Sequence, residues 1–113
     1  MEHRIYDIED QDFAVTRRPL AEGVSGLSLI PKELANFKLT LTKVEPGGKF
    51  SMHRDEYHHV LYFISGIGIG WLEEEQYDIK PGRIAEIPAG TLHGYMNSSN
   101  ETMTLITVNI PQS

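Results

Sequence analysis

Turn-forming residues interrupt this chain at such short intervals that its apolar segments have the length of strands rather than helices. Phe37, Leu39 and Leu41 alternate with Lys38, Thr40 and Thr42, the period of two expected of a half-buried strand, and Glu45-Pro46-Gly47-Gly48 reads as its end. Residues 60–64 form a continuous apolar run closed by Ser65 and Gly66, which suits a strand buried on both faces. Ile67 and Ile69 alternate with Gly68 and Gly70, and Trp71 and Leu72 lead into a charged turn at residues 73–76, so residues 77–79 read as the return strand of a hairpin. Further strands are expected at residues 83–87, after Lys80-Pro81-Gly82, and at residues 103–110, after Asn97-Ser98-Ser99-Asn100. Such a series predicts an all-β sandwich or barrel.

Composition narrows the partners. A chain of 113 residues is long enough for one hydrophobic core and too short for two, so residues 1–113 are expected to form a single domain, with residues 1–20 as N-terminal strands or an arm. The formal net charge of −6 argues against nucleic acid or an anionic membrane surface as the main partner. There is no cysteine, so disulfides and thiolate ligands are excluded. The first ten residues are polar and acidic where a signal peptide is basic and then apolar, and no apolar run has the length of a membrane span, so the cytoplasm is the expected compartment. Arg17 and Arg18, before Pro19, are a weak candidate for an anion patch.

Four residues have the chemistry of metal ligands at a suggestive spacing. On extended backbone His53, Asp55, Tyr57 and His59 share one face, whereas His58 points the other way. His93 follows a turn built from Pro88, which cannot sit in a central ladder, and Gly90, which tolerates positive φ; the chain is therefore expected to return there past the first segment. Imidazole nitrogen and carboxylate oxygen converging from fixed backbone are the usual ligands of divalent transition ions. His3 lies in a terminal tail and is set aside.

These same stretches carry a family resemblance. Residues 47–66, with Gly47, His53, Asp55, His59 and Gly66, resemble the first motif of the cupin superfamily, in which a glycine, His-x-His, a glutamate and a second glycine recur at fixed spacing. Residues 82–97 resemble the second motif at every fixed position: Gly82, Pro88, Gly90, His93 and Asn97. The first match departs from the family at two places, since Asp55 stands where the family has its second histidine and His59 where it has its glutamate. Both replacements remain competent ligands. The resemblance implies a small single-domain cupin, a jelly-roll β-barrel, with one divalent transition metal (Mn, Fe, Co, Ni or Zn) held by His53, Asp55, His59 and His93. Three imidazoles and one carboxylate leave octahedral positions open to a substrate with adjacent oxygens.

Strand parity proposes the walls of the pocket. Leu61 and Phe63 share the face of His59, Tyr95 shares that of His93, and Thr40 and Ile106 are further candidates for substrate contact. Tyr57 and Tyr95 are candidate catalytic residues, as proton or hydrogen-bond donors to a bound small molecule. Two functions stay open: a metal-dependent enzyme with dioxygenase-like or Lewis-acid chemistry on a small oxygen-rich molecule, and a non-catalytic module binding a small molecule or metal. A homodimer is expected, with residues 4–8 read as a strand-prone segment lying against the second copy.

Overall fold

The computed structural model describes residues 3–16 and 19–112; Arg17 and Arg18, the candidate anion patch, lie outside the described residues. The chain is all-β. Among the described residues nine strands run β1 (Ala14–Val15), β2 (Ala21–Ser28), β3 (Lys38–His53), β4 (His58–Ser65), β5 (Gly68–Leu72), β6 (Glu75–Ile79), β7 (Ile84–Ile87), β8 (His93–Met96) and β9 (Met103–Ile110). The described residues contain no helix beyond single 3₁₀ turns at Ile8–Asp10 and Lys32–Leu34.

One strand organises the rest. β3 pairs along its first half with β9, from Lys38↔Asn109 to Val44↔Met103, and along its second half with β8, from Lys49↔Met96 to His53↔His93. The sheet order β6-β5-β8-β3-β9-β4-β7, with β2 against β3, therefore folds at the middle of β3 into two walls. The first wall holds β2, the start of β3, β9, β4 and β7; the second holds the end of β3, β8, β5 and β6. Their inner faces enclose one apolar cluster, with Val44, Phe63, Met103 and Leu105 fully buried at its centre.

The fold point corrects the expectation that Glu45-Pro46-Gly47-Gly48 ends the strand. The strand continues through it as a wide bulge, in which Gly23 alone of β2 stands opposite residues 45–48. Gly47 takes φ 77°, and a Cβ on Gly48 would lie 2.9 Å from the carbonyl oxygens of Glu22 and Glu45, so the corner needs glycine at both positions. Asn97 locks it. This residue is 1% exposed, and its amide donates to the carbonyls of Val44 (3.0 Å), Glu45 (3.2 Å) and Glu101 (2.7 Å) while accepting from the backbone N–H and hydroxyl of Ser99 (3.0 and 2.8 Å).

Two other expectations are corrected. Residues 60–64 are buried on one face only, since Leu61 and Phe63 point into the core while Tyr62 and Ile64 remain 45% and 42% exposed. Run length alone misled here, because the outer face of this wall is itself apolar. Residues 4–7, expected to lie against a second copy, have no ladder partner among the described residues of this one; Ile5 is 99% exposed, and the Arg4 guanidinium lies over the Tyr6 ring. The hairpin of β5 and β6 forms with a tighter tip than read: only Glu73 and Glu74 turn, and Glu75 and Gln76, read as part of the turn, pair with Leu72 and Trp71 as the start of the return strand. Its glycines face inward, and the Tyr77 ring fills the space a Gly70 side chain would occupy.

Candidate metal centre

The two walls deliver ligands from opposite sides. β4 of the first wall carries His59, and the paired residues His53 and His93 of β3 and β8 come from the second. Asp55 lies in the loop between β3 and β4 rather than on extended backbone, and its carbonyl accepts the Gly90 N–H at 2.9 Å, which ties that loop to the turn preceding His93. Asp55 Oδ2 is 3.1 Å from His53 Nε2, 2.8 Å from His59 Nε2 and 3.5 Å from His93 Nε2. His53, Asp55 and His93 each bring a ligand-type atom within 4.8 Å of the others. The structure thus brings together all four residues named from the sequence.

Hydrogen bonds on the far side of each ring set the chemistry. His53 Nδ1 faces the Ser51 carbonyl (2.6 Å), His93 Nδ1 the Thr91 carbonyl (2.8 Å) and His59 Nδ1 the Asn109 Oδ1 (2.7 Å). All three partners are acceptors, so Nδ1 is the donor on each ring and each Nε2 turns inward toward Asp55. Three Nε2 atoms and a carboxylate then meet at one point, and with a lone pair on every Nε2 they would have no proton between them. Such contacts repel unless a second proton makes an imidazolium or a cation sits among them. Burial, with smaller contributions from the charges of His53 and His59, holds His93 below the ordinary histidine pKa despite the opposing effects of the Thr91 carbonyl and Asp55. The neutral ring is the metal-binding form, and this donor set fits a divalent transition ion.

A cavity of about 200 Å³ opens beside these groups. Thr40, Leu61, Tyr57 and Tyr95 line it as named from the sequence. Phe63 does not reach it: this ring is fully buried in the core, 6.2 Å from that of Tyr95. Ile106 stands on the outer face, opposite Leu41 and Tyr62, because its neighbours Leu105 and Thr107 take the inward positions. Tyr57 packs its ring edge-to-face on His59 at 4.8 Å, and Tyr95 does so on Phe50 at 5.5 Å. Burial raises the Tyr95 phenol well above its ordinary value, so it remains a neutral donor.

The Cupin_2 family model, a cupin domain, matches residues 40–109. This chain is a cupin. A search of curated proteins finds no match. Among solved structures, this cupin is similar to the polyketide cyclase RemF from Streptomyces resistomycificus, at 26% identity and TM-score 0.85, over 99% of this chain and 81% of that one. It shares its fold with a predicted oxalate decarboxylase from Thermotoga maritima, at 18% identity and TM-score 0.84 over 96% of this chain and 100% of that one. A sugar phosphate isomerase from Silicibacter pomeroyi has the same fold, at 22% identity and TM-score 0.81 over 96% of this chain and 76% of that one.

Several residues of the site escaped the sequence reading. Thr42 and Thr107, whose hydroxyls meet at 3.0 Å, and Asn109 line the cavity beside Thr40, and parity from Thr40 would have found Thr42. Arg54 and Glu73 carried no such signal. Arg54 Nη1 donates to the Gly90 carbonyl (2.6 Å) and to Glu73 Oε1 (3.0 Å), and the same oxygen accepts the Leu92 N–H (3.0 Å). Glu73 thereby holds the segment leading into His93. His58, opposite in parity to the ligands, accepts the Ala89 N–H at Nδ1 (2.9 Å).

Proposed function

We propose that this cupin is a metal-dependent enzyme that holds one divalent ion (Mn, Fe, Co, Ni or Zn) through His53, Asp55, His59 and His93. Its reaction is Lewis-acid activation of a small oxygen-rich organic molecule. The observation that carries this reading is the convergence of three buried Nε2 atoms on one carboxylate oxygen. Similarity to a polyketide cyclase over nearly the whole chain supports an enzyme acting on an oxygenated carbon skeleton.

When bound, the ion supplies a Lewis acid that acidifies and polarises a ligand oxygen. The chain's own residues orient that ligand and exclude water. Thr42 and Thr107 offer paired hydroxyls, and Asn109, whose Oδ1 is committed to His59, leaves its NH₂ group as a donor. Phe50, Leu61 and Val24 supply the dry part of the wall. Tyr95, kept neutral by burial, is a hydrogen-bond donor of the cavity, and Tyr57 is the second phenol that lines it.

The test is to load metal-free protein with each ion in turn, follow α-proton exchange of hydroxyacetone in D₂O by NMR, and monitor dioxygen uptake with catechol. Exchange that requires the ion and is lost in His93→Ala supports the reading. Dioxygen uptake with the Fe or Mn form assigns dioxygenase-like chemistry instead. A loaded protein that binds both compounds and turns over neither is a non-catalytic module. Pairing with a second copy belongs to the same proposal. The first wall exposes Tyr62, Ile64, Ile84 and Ile110 on its outer face, an apolar patch of the kind that marks an association surface. Sedimentation showing only monomer removes the dimer.

A further inference from the structure

Asn109 has two chemically opposite ends, and the metal site dictates which of them meets a ligand. Its Oδ1 lies 2.7 Å from His59 Nδ1, while Nε2 of the same ring lies 2.8 Å from Asp55 Oδ2. A ring that gives its Nε2 lone pair to a cation keeps its proton on Nδ1, and that N–H needs an acceptor. The amide oxygen of Asn109 therefore turns to His59, and the NH₂ group turns away from it. The register of β4 against β9 pairs the two residues directly, and Asn109 follows the inward parity of Leu105 and Thr107 to line the cavity. Among the described residues the NH₂ group donates to no protein acceptor.

A locked donor selects the atom placed against it. An oxygen that carries a lone pair and no proton, in a carbonyl, an ether or an enolate, completes a hydrogen bond with this NH₂ group. An amine or a ring N–H sets donor against donor, and both groups lose the partner they had in water. The other polar groups of the cavity discriminate less. The hydroxyls of Thr42 and Thr107, 3.0 Å apart, rotate to give or to accept, and Val24 and Leu61 beside them offer only apolar surface. Selection by Asn109 is one of hydrogen-bond polarity and holds for neutral and anionic ligands alike. Resting on the metal site proposed above, we infer that Asn109 is a specificity-determining residue: the substrate sets a carbonyl, ether or enolate oxygen against its NH₂ group, beyond the oxygens on the metal, and the analogue with N–H at that position is rejected.

Maltol and its pyridinone analogue test this assignment. They share one chelating head, one ring shape and one methyl group, and differ in a ring oxygen against a ring N–H. Each is titrated calorimetrically into the zinc-loaded protein, with zinc per chain measured on the same sample and each Kd referred to the probe's affinity for free zinc at the same pH. Wild-type protein is expected to bind maltol about tenfold or more tightly on that scale. Asn109→Asp keeps an acceptor oxygen on His59 Nδ1 and puts a second oxygen where the NH₂ group stood, so it is expected to retain zinc and to reverse the preference. If the variant fails to load, the wild-type comparison decides alone. Equal binding of the two probes by wild-type protein, a preference for the pyridinone, or binding of neither overturns the role of Asn109 and leaves the metal site standing. An undiminished preference for maltol in zinc-loaded Asn109→Asp overturns it as well. A protein that takes up no zinc overturns the ligand set, and the role of Asn109 with it.

Discussion

Replacing Asp55 by asparagine separates the two roles of this carboxylate, which metal-free protein and metal-loaded protein feel in opposite ways. In metal-free protein the Asp55 carboxylate oxygen faces the three inward Nε2 atoms at 2.8 to 3.5 Å. An amide keeps the shape and gains an NH₂ donor for those atoms, so metal-free Asp55→Asn is expected to melt at or above the wild-type temperature. Loaded protein loses the one anionic ligand of the set, which weakens binding by about 100-fold. With free metal at about 1,000 times the wild-type Kd, linkage gives the wild type about 4 kcal/mol and the variant, now at about ten times its own Kd, about 1.4 kcal/mol. An unfolding entropy of about 2.1 cal/mol/K per residue, over 113 residues, converts these to Tm gains of about 17 °C and about 6 °C. Differential scanning calorimetry with and without metal reads both numbers. Equal metal-induced gains in the two proteins would refute the reasoning, because Asp55 would then contribute nothing to the ion.

Three further outcomes are expected. Asn97→Ala removes the donor to three carbonyls at the corner of β3, one of them buried, and should cost about 3 kcal/mol, read by urea denaturation; a loss under 1 kcal/mol would show that the corner holds itself. Burial raises the Tyr77 phenol from 10.0 to about 12. The unfolded chain therefore releases this proton first, so stability is fully present below about pH 10 and falls as pH rises toward about 12; Tyr77→Phe should flatten that alkaline decline, and an unchanged slope would remove Tyr77 as its source. Glu73→Ala frees the Leu92 N–H and one partner of Arg54, and about tenfold weaker metal binding is expected with little change in Tm, a split that simple unfolding would not produce.

Much of this arrangement was legible before the structure, for reasons that differ from element to element. β9 and the β5–β6 hairpin were readable because alternation, a charged turn and an asparagine-serine loop agree with one another at those places. β2 was not. Its sequence contains Gly23, Gly26, Ser25 and Ser28, poor strand formers, and it is a strand because β3 pairs with it along its length. At Gly26 the absent side chain admits Thr40, whose Cγ2 would lie 2.8 Å from a Cβ there. Pro46 reads as a breaker in sequence, yet the bulge accommodates a residue without an N–H, so β3 runs on. The ligands were legible because a spacing of residues carries them. The acceptor that fixes the His59 tautomer was not, since Asn109 lies 50 residues away and only the pairing of β4 with β9 sets the two side by side.

The central claim is that three histidines and an aspartate hold a metal, and the most direct test is metal content per chain. Protein purified without an affinity tag or added metal is analysed by mass spectrometry of the elements, alongside His93→Ala prepared in the same way. The account predicts close to one divalent transition ion per chain in the wild type and little in the variant. Wild-type protein that carries no such ion, and takes none up on incubation with Mn, Fe, Co, Ni or Zn, would contradict it.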